Sequence, residues 1–380
     1  MTERHLTRLV AAAALALALP LGLAPSPAAA GDNVMVSGSV FVDYWGIEDR
    51  PTALRAPRSV SPEGSLKVQV DIHDDLSFSA KACFSCHGID MEHAFLEYTP
   101  KIWFNVQAGR IAIPFGEFSN RIDPSGHKTT SYPLIYDMGR AAYLEKSAMN
   151  FGVIMLPYVD TGVMVYGVKW LGKLQAWYGA YAVAGLRGTN DVDFMAQRTA
   201  YYNDSNSEPA GGGRLALTWA SEADAWLADV QVGGSFTAGR YDREARLGYA
   251  AAAADASFKL GPFTFRGEYA LRRTELNPDA TYRYDLVDAY MNKEGWYAEL
   301  EHPLGKHLAL VYRYDELRRR GVPLPGASAT LTPDSKFIRY TAGFVLTPAQ
   351  AVFIKAGWEM WDTTDFADFQ SWHVGFGGAF

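Results

Sequence analysis

The fold is decided by the last ten residues of the chain, Ser371-Trp372-His373-Val374-Gly375-Phe376-Gly377-Gly378-Ala379-Phe380. Even-numbered positions in this stretch are apolar and mostly large, whereas odd-numbered positions are small or polar. Because successive side chains of a β-strand point to opposite faces, the alternation predicts a strand with two different environments. One face meets an apolar medium and the other meets water or a polar interior.

The same alternation recurs in residues 66–73, 263–272 and 352–359. A soluble β-sandwich shows this pattern too, with one face on a protein core. Here the apolar faces are rich in aromatic side chains, which make up 13% of the chain, and the polar faces carry charge. A barrel with lipid outside and a water-filled lumen inside is therefore the better interpretation. The mean hydropathy of -0.10 agrees, because half of each strand would face a polar lumen.

We therefore expect an all-β fold, a transmembrane antiparallel β-barrel of about sixteen strands. Predicted strands start near Gly38, Ser65, Leu76, Met91, Ile102, Ala148, Lys173, Gly213, Trp226, Ala245, Pro262, Gly295, Lys306, Phe337, Ala351 and Gln370. Short and long connections alternate, as they do when short turns face the periplasm and long loops face outward. The long third loop, 117–146, is the longest of these connections.

Residues 1–30 have the composition of a secretory signal peptide. Arg4 and Arg8 precede an apolar stretch at 9–23, and an alanine cleavage site follows at 28–30. The mature barrel would then occupy 31–380, in the outer membrane of a bacterium and in contact with its lipid. After the signal, no apolar run is long enough for a transmembrane helix. The net charge of -7 gives no reason to expect a nucleic-acid partner.

Two neighbouring segments carry a family resemblance. Ala94-Phe95-Leu96-Glu97-Tyr98 is followed, after a turn, by Gly109-Arg110-Ile111-Ala112-Ile113-Pro114-Phe115-Gly116. This resembles the phosphate-selective (O/P-type) porin family, which has a strand reading A-Y-L-E-Y and then one ending in V-G-x-x-x-x-P-F-G. The resemblance implies a sixteen-stranded, usually trimeric barrel whose long third loop folds into the pore. Specificity for phosphate is not implied, because the lumen arginines and lysines it needs cannot be matched residue by residue.

The chain has two cysteines, and both lie in Cys83-Phe84-Ser85-Cys86-His87. This C-x-x-C-H sequence is the attachment signature of c-type haem: two thiols bond to the porphyrin, and His87 ligates the iron from the proximal side. We expect one haem c on an attachment loop at 82–92. The alternative is a C-x-x-C disulfide or redox pair. A zinc site would need a second, well-spaced pair of ligands.

Strand parity places the motif relative to the membrane. Counted from a periplasmic N-terminus, the third strand runs outward and the fourth returns, so the motif lies at the outer rim. A miscount of one strand would move it to the periplasmic side. Alternation turns Ser77, Ser79, Lys81 and Cys83 towards the lumen, and on the next strand Met91, His93, Phe95 and Glu97. A porphyrin on Cys83 and Cys86 would then hang into or over the pore.

The sixth iron ligand must come from a nearby His or Met, or the position stays open. We favour His127, because the third loop of related porins enters the lumen. An ordinary loop histidine is the competing interpretation. Met91, His93 and Met138 are the alternatives.

Two functions follow from these observations. The first is a porin with one haem c that transfers electrons at or across the outer membrane. One haem does not span about 30 Å of hydrocarbon, so a periplasmic or surface cytochrome would be its partner. This arrangement distantly resembles fused cytochrome–porin proteins of iron-oxidising bacteria, but in those proteins the haem segment precedes the barrel.

The second is a passive, anion-preferring porin for small solutes in which the cysteines form a loop disulfide. Its constriction would use four cations near the third loop, Arg110, Arg121, Lys128 and Arg140. The porin resemblance implies a homotrimer for either function. No catalytic serine or paired-carboxylate motif stands out, so an enzyme is not expected, apart from peroxidase-like chemistry at an open haem position.

Overall fold

The computed structural model describes residues 33–48, 54–55, 60–85, 88–136, 143–144, 152–154, 156–187, 206–222, 225–278, 287–321, 324–325 and 330–380. The predicted signal peptide, 1–30, lies outside these residues. Among them no helix is long and apolar enough to cross a membrane.

Sixteen strands form one closed antiparallel barrel, in which each strand pairs with its neighbours in sequence and the first pairs with the last. They are β1 (Val34–Glu48), β2 (Val60–His73), β3 (Leu76–Ser85), β4 (Gly88–Lys101), β5 (Phe104–Ala112), β6 (Val159–Leu171), β7 (Leu174–Val183), β8 (Ala210–Trp219), β9 (Leu227–Arg240), β10 (Gly248–Leu260), β11 (Phe263–Glu275), β12 (Tyr290–Pro303), β13 (Leu308–Arg320), β14 (Asp334–Ala349), β15 (Val352–Thr363) and β16 (Phe369–Ala379). The all-β barrel of about sixteen strands is confirmed.

The two ends of the barrel differ in the length of their connections. Two-residue turns join strands at one end, as at Gly172-Lys173 and Gly261-Pro262. Gly172 and Gly261 have φ of +65° and +56°, which a residue with a side chain rarely adopts. Loops at the other end are mostly longer. Leu54–Arg55 of the first loop pairs with Tyr143–Leu144 of the third loop, and Leu324–Pro325 pairs with Thr330–Leu331 within the loop between β13 and β14.

The sixth strand begins at Val159 and not near Ala148, so this predicted boundary is wrong. The apolar residues before it belong to the third loop, where Val153, Ile154 and Leu156 are at most 1% exposed. They are apolar because they pack inside the barrel. Periodicity alone does not distinguish a short buried run from a strand.

The two faces of the wall have opposite character. Aromatic side chains such as Tyr312, Tyr340 and Trp358 are 42–49% exposed on the outer face. The inner face is polar and charged, and many of its side chains are buried beneath the third loop. This arrangement fits a barrel whose outer surface contacts lipid.

Candidate functional site

The third loop joins β5 to β6 over residues 113–158 and is called the pore loop below. Its described parts at 113–136, 152–154 and 156–158 fold into the barrel. Two short 3₁₀ helices lie in the loop, Phe118–Arg121 and Leu134–Tyr136. Its apolar side chains form one cluster with inward-facing wall residues, and Phe115, Phe118, Leu134, Ile135 and Tyr136 are fully buried. The largest hydrophobic cluster of the described residues therefore lies in the lumen, between loop and wall.

Three cations on adjacent strands hold one stretch of the pore loop, residues 124–132. Arg313 donates to the carbonyl of Ser131 at 3.0 Å, and Lys355 donates to that of His127 at 2.6 Å. Arg339 donates to the carbonyl of Tyr132. All three cations are at most 3% exposed. A buried charge is costly unless it is hydrogen-bonded, so these contacts stabilise both the loop and the cations.

Acidic and hydroxyl groups of the wall accept hydrogen bonds from main-chain N–H groups of the loop and from one of its tyrosine hydroxyls. The N–H of Leu134 donates to Asp315 Oδ1 at 2.9 Å, and that of Gly116 donates to Ser235 Oγ at 3.0 Å. The hydroxyl of Tyr136 donates to Glu268. Together with the cations, these contacts fix the loop against β9, β11 and β13–β15.

The loop also reaches across the lumen to the first strands. Lys81 Nζ on β3 lies 2.7 Å from Asp123 Oδ1. Tyr132 donates to Glu63 Oε1 on β2 at 3.4 Å. Hydrogen bonds and ion pairs thus join the described parts of the pore loop to β2, β3, β9 and β11–β15.

The cysteine motif lies where β3 meets β4. Cys83 pairs with Asp90 and Ser85 pairs with Gly88 across the two strands. The connecting residues, Cys86 and His87, lie outside the described residues. The junction is at the end of the barrel that carries the long loops, as strand parity predicts for the outer rim.

Cys83 points into the lumen, also as parity predicts, and it has a free thiol. The loop disulfide of the second hypothesis is therefore not present at Cys83. Its Sγ donates to Glu92 Oε2 at 2.7 Å, and Lys81 Nζ lies 3.0 Å from Glu92 Oε1. Because Lys81 also contacts Asp123, the thiol, Glu92 and the pore loop form one continuous set of contacts.

Cys83 fits the predicted haem attachment. Its lumen-facing free thiol agrees with a porphyrin held in or over the pore. Its main chain is extended, and Cys83 and Phe84 pair with Asp90 and Ile89. Cys86, which would supply the second thiol, lies outside the described residues.

The candidates for the sixth iron ligand on β4 lie on different faces of the barrel wall. His93 faces the lumen, with Nε2 3.2 Å from Ser79 Oγ. Met91, predicted on the same face, lies on the outer face instead, because a β-bulge at Glu92 shifts the register and pairs Met91 with Ala82. Met91 therefore cannot ligate a haem in the lumen. Met138 lies outside the described residues.

His127 is enclosed by the pore loop. Its Nδ1 lies 2.9 Å from the carbonyl of Arg121, which can only accept, so this nitrogen carries the proton. The rings of Phe118 and Tyr132 pack against it, and the residue is 2% exposed. Burial, and next the Lys355 ammonium, lower the pKa of His127 well below its usual value. A porphyrin cannot reach this ring unless the loop moves. In the described part of the chain, no three His, Cys, Asp or Glu side chains form a metal site.

The four predicted constriction cations do not form a group. Arg110 faces outward, because its neighbour Ile111 is buried in the lumen, and Arg110 Nε donates to the carbonyl of Met91 at 2.9 Å. Arg121 is paired with Glu117 at 2.8 Å and lies 3.5 Å from Glu299. Lys128 is half-buried in the pore loop, and Arg140 lies outside the described residues. An anion-selective constriction is therefore not built from Arg110, and the charge of Arg121 is already balanced.

Sequence reasoning missed the cations that hold the loop, Arg313, Arg339 and Lys355. Alternation could have placed them on the lumen face, since each is the polar member of an alternating strand. It could not have shown their partners, which are main-chain carbonyls distant in sequence.

Sequence reasoning also missed the part of the wall that the loop leaves uncovered, here called the open arc. The open arc consists of seven half-buried, inward-facing residues on β4–β9: Glu97, Gln107, Tyr166, Gln175, Trp177, Thr218 and Gln231. Other inward-facing residues of the same strands, such as Ile111 and Met164, are buried in the cluster with the pore loop. In the described residues, none of the seven makes a hydrogen bond or ion pair with the pore loop.

No protein-family model matches this chain, and no curated protein matches it. Its fold is similar to that of an anion-selective porin from Comamonas acidovorans, with a TM-score of 0.58, 10% identity, and coverage of 91% of this chain and 99% of the porin. It is similar to Salmonella typhi OmpF in complex with daunomycin, with a TM-score of 0.58, 10% identity, and coverage of 92% and 98%. It is also similar to Vibrio cholerae OmpT in a trimer form, with a TM-score of 0.53, 10% identity, and coverage of 91% and 99%. At such low identity the similarity shows the fold alone, which is that of outer-membrane porins.

Proposed function

We propose that this protein is an outer-membrane porin that lets small polar solutes diffuse through its barrel, beside the pore loop. The pore loop is docked against one part of the wall and leaves the open arc free, and this placement supports the proposal. The described hydrogen bonds and ion pairs of the loop hold it to β2, β3, β9 and β11–β15, and the half-buried side chains of the open arc line β4–β9. Solutes then cross along the open arc. The porin fold and the aromatic outer face support placement in the bacterial outer membrane, and the trimer form of the OmpT neighbour supports a homotrimer.

Cysteine accessibility in planar lipid bilayers tests this path. In a Cys83→Ser, Cys86→Ser background, Gln175→Cys places a thiol on the open arc and Leu215→Cys places one on the outer face. Leu215 is a matched control because it is 50% exposed and lies on the adjacent strand. A charged, water-soluble methanethiosulfonate should lower the single-channel conductance of the first variant and leave the second unchanged. Absence of channels, or equal responses, would exclude the proposal.

A second candidate function is electron transfer through one haem c on Cys83 and Cys86, with His87 as the iron ligand and a cytochrome as partner. It is favoured by the free, lumen-facing thiol of Cys83 at the outer end of the hairpin. When bound, haem c would supply one-electron redox chemistry. Among the described candidates for the second iron ligand, His93 faces the lumen and also lies beside this hairpin.

The pyridine haemochrome spectrum of protein made in cells with active cytochrome maturation tests this function. Attachment predicts a haem band and a mass increase of one haem, both lost in Cys83→Ser. A protein without the band, at its apo mass, would exclude the haem and leave the porin proposal standing.

A further inference from the structure

Two aromatic rings lie side by side on the open arc. Tyr166 on β6 pairs with Gly179 on β7, and Trp177 pairs with Val168, so both side chains face the lumen. Their ring centroids are 6.2 Å apart, and their planes differ by 27°. A Cβ added at Gly179 would lie 2.8 Å from Cη2 of Trp177. The indole therefore lies over a glycine that leaves room for it, and both rings remain half-buried.

A carboxylate is held at one side of these rings. The hydroxyl of Tyr166 and the amide of Gln107 both donate to Glu97 Oε1, each at 2.5 Å. No described residue donates to the other oxygen, Oε2. Glu97 is half-buried on the lumen face, so Oε2 is available to accept a hydrogen bond from a solute, and the Gln107 carbonyl oxygen is a second acceptor.

Neutral polar side chains lie on the other side of the rings, towards the short turns. Gln175 pairs with Thr218, and Thr218 pairs with Gln231, which gives one cross-strand row. Thr218 Oγ1 lies 3.5 Å from Gln231 Oε1. These groups can donate or accept hydrogen bonds without adding charge.

We propose that Tyr166 and Trp177 form a stacking platform for a sugar, with Glu97, Gln107 and Gln175 as partners for its hydroxyl groups. This proposal rests on the proposed pore function and names a solute class for it. A sugar ring has an apolar face of C–H groups that can lie on an aromatic ring, and a rim of hydroxyls that need donors and acceptors. Specific sites combine apolar or aromatic surface with a few placed polar groups in this way.

The charges of the arc favour a neutral solute over an anion. Glu97 is the carboxylate beside the rings, and the cations Arg313, Arg339 and Lys355 are occupied by the pore loop on the opposite wall. An organic cation is the rival, because aromatic faces also attract cations. The amides and hydroxyls around the rings match hydroxyl groups better than they match a quaternary ammonium.

Current block in planar bilayers tests the platform. Maltotriose is added to wild type and to two tryptophan variants, Trp177→Ala and the outer-face control Trp358→Ala, which is 42% exposed. We expect maltotriose to block wild type and Trp358→Ala at similar concentrations, and Trp177→Ala to need at least tenfold more. Tyr166→Phe keeps the ring and loses its hydrogen bond to Glu97, so it should weaken block by less than Trp177→Ala.

The outcomes separate this proposal from the pore itself. Open channels that maltotriose does not block would overturn the platform and leave the porin proposal standing. Block by choline in place of maltotriose would assign the rings to a cation and overturn the sugar. Equal loss of block in both tryptophan variants would show a general effect on the barrel and would also overturn it. A protein that forms no channels would overturn the pore function on which the platform rests.

Discussion

Lys81 Nζ lies 2.7 Å from Asp123 Oδ1, and this ion pair joins the cysteine-bearing strand to the pore loop. Lys81 also contacts Glu92 Oε2 at 2.9 Å, and Glu92 accepts the hydrogen bond of the Cys83 thiol. The two regions that the sequence singles out, the C-x-x-C-H motif and the third loop, are therefore in contact through one ammonium group.

The Lys81–Asp123 pair should restrain the loop more than it stabilises the barrel. The Asp123 side chain is 43% exposed, so water can replace Lys81, and an exposed pair contributes about 1 kcal/mol or less. Asp123→Asn should leave the denaturation midpoint nearly unchanged and increase open-channel current noise. Lys81→Met should have a larger effect, because it also leaves Glu92 without a cation. Identical noise in wild type and both variants would contradict this role.

Lys355 should be essential for seating the loop. Lys355 is 2% exposed, and its ammonium donates to three main-chain carbonyls, those of Pro124, His127 and Thr129. Lys355→Met leaves these buried acceptors unpaired, at a cost of about 2–4 kcal/mol in the free energy of unfolding. The measurement is denaturant unfolding in detergent micelles. Lys259→Met is the control, because Lys259 is 53% exposed and its pair with Asp229 lies at the surface; it should change little.

The bulge at Glu92 predicts which side of the wall each neighbour occupies. In a background without native cysteines, Met91→Cys should react with a lipid-soluble maleimide in vesicles and resist a water-soluble one. His93→Cys faces the lumen and should show the opposite preference, although it reacts slowly because the site is 9% exposed. The same preference at both positions would mean that the bulge lies elsewhere on β4.

His127 should make the loop sensitive to acid. Its pKa is lowered in the folded protein, first by burial and then by Lys355, from a usual value of 6.5. The unfolded chain therefore binds a proton that the folded chain excludes, so stability falls as pH drops below about 6.5 and is recovered above it. His127→Gln removes this contribution. The difference in denaturation midpoint between pH 7.5 and pH 5 should be smaller in the variant than in wild type; an unchanged difference would show that His127 does not titrate in this range.

Local sequence predicted those features that depend on neighbouring residues alone. Strand parity has a period of two, so it placed Cys83 and His93 on the lumen face without knowledge of any other strand. It failed at Met91, because one extra residue at Glu92 reverses the parity beyond it. Parity also did not place Arg110 on the outer face. On this part of β5 the usual arrangement of polar side chains inward and apolar side chains outward is reversed. The pore loop fills the lumen beside Ile111, so the apolar Ile111 faces inward and Arg110 faces outward.

By itself, the sequence determined that the chain is a sixteen-stranded barrel and that its cysteine motif lies at a hairpin, because alternation and turn residues are local. Only the tertiary structure decided where the pore loop docks and which part of the wall it leaves open. Those features depend on pairs such as Arg313 with Ser131 and Tyr166 with Glu97, which are 182 and 69 residues apart. Barrel closure brings such residues together, and no periodicity along the chain records which of them will meet.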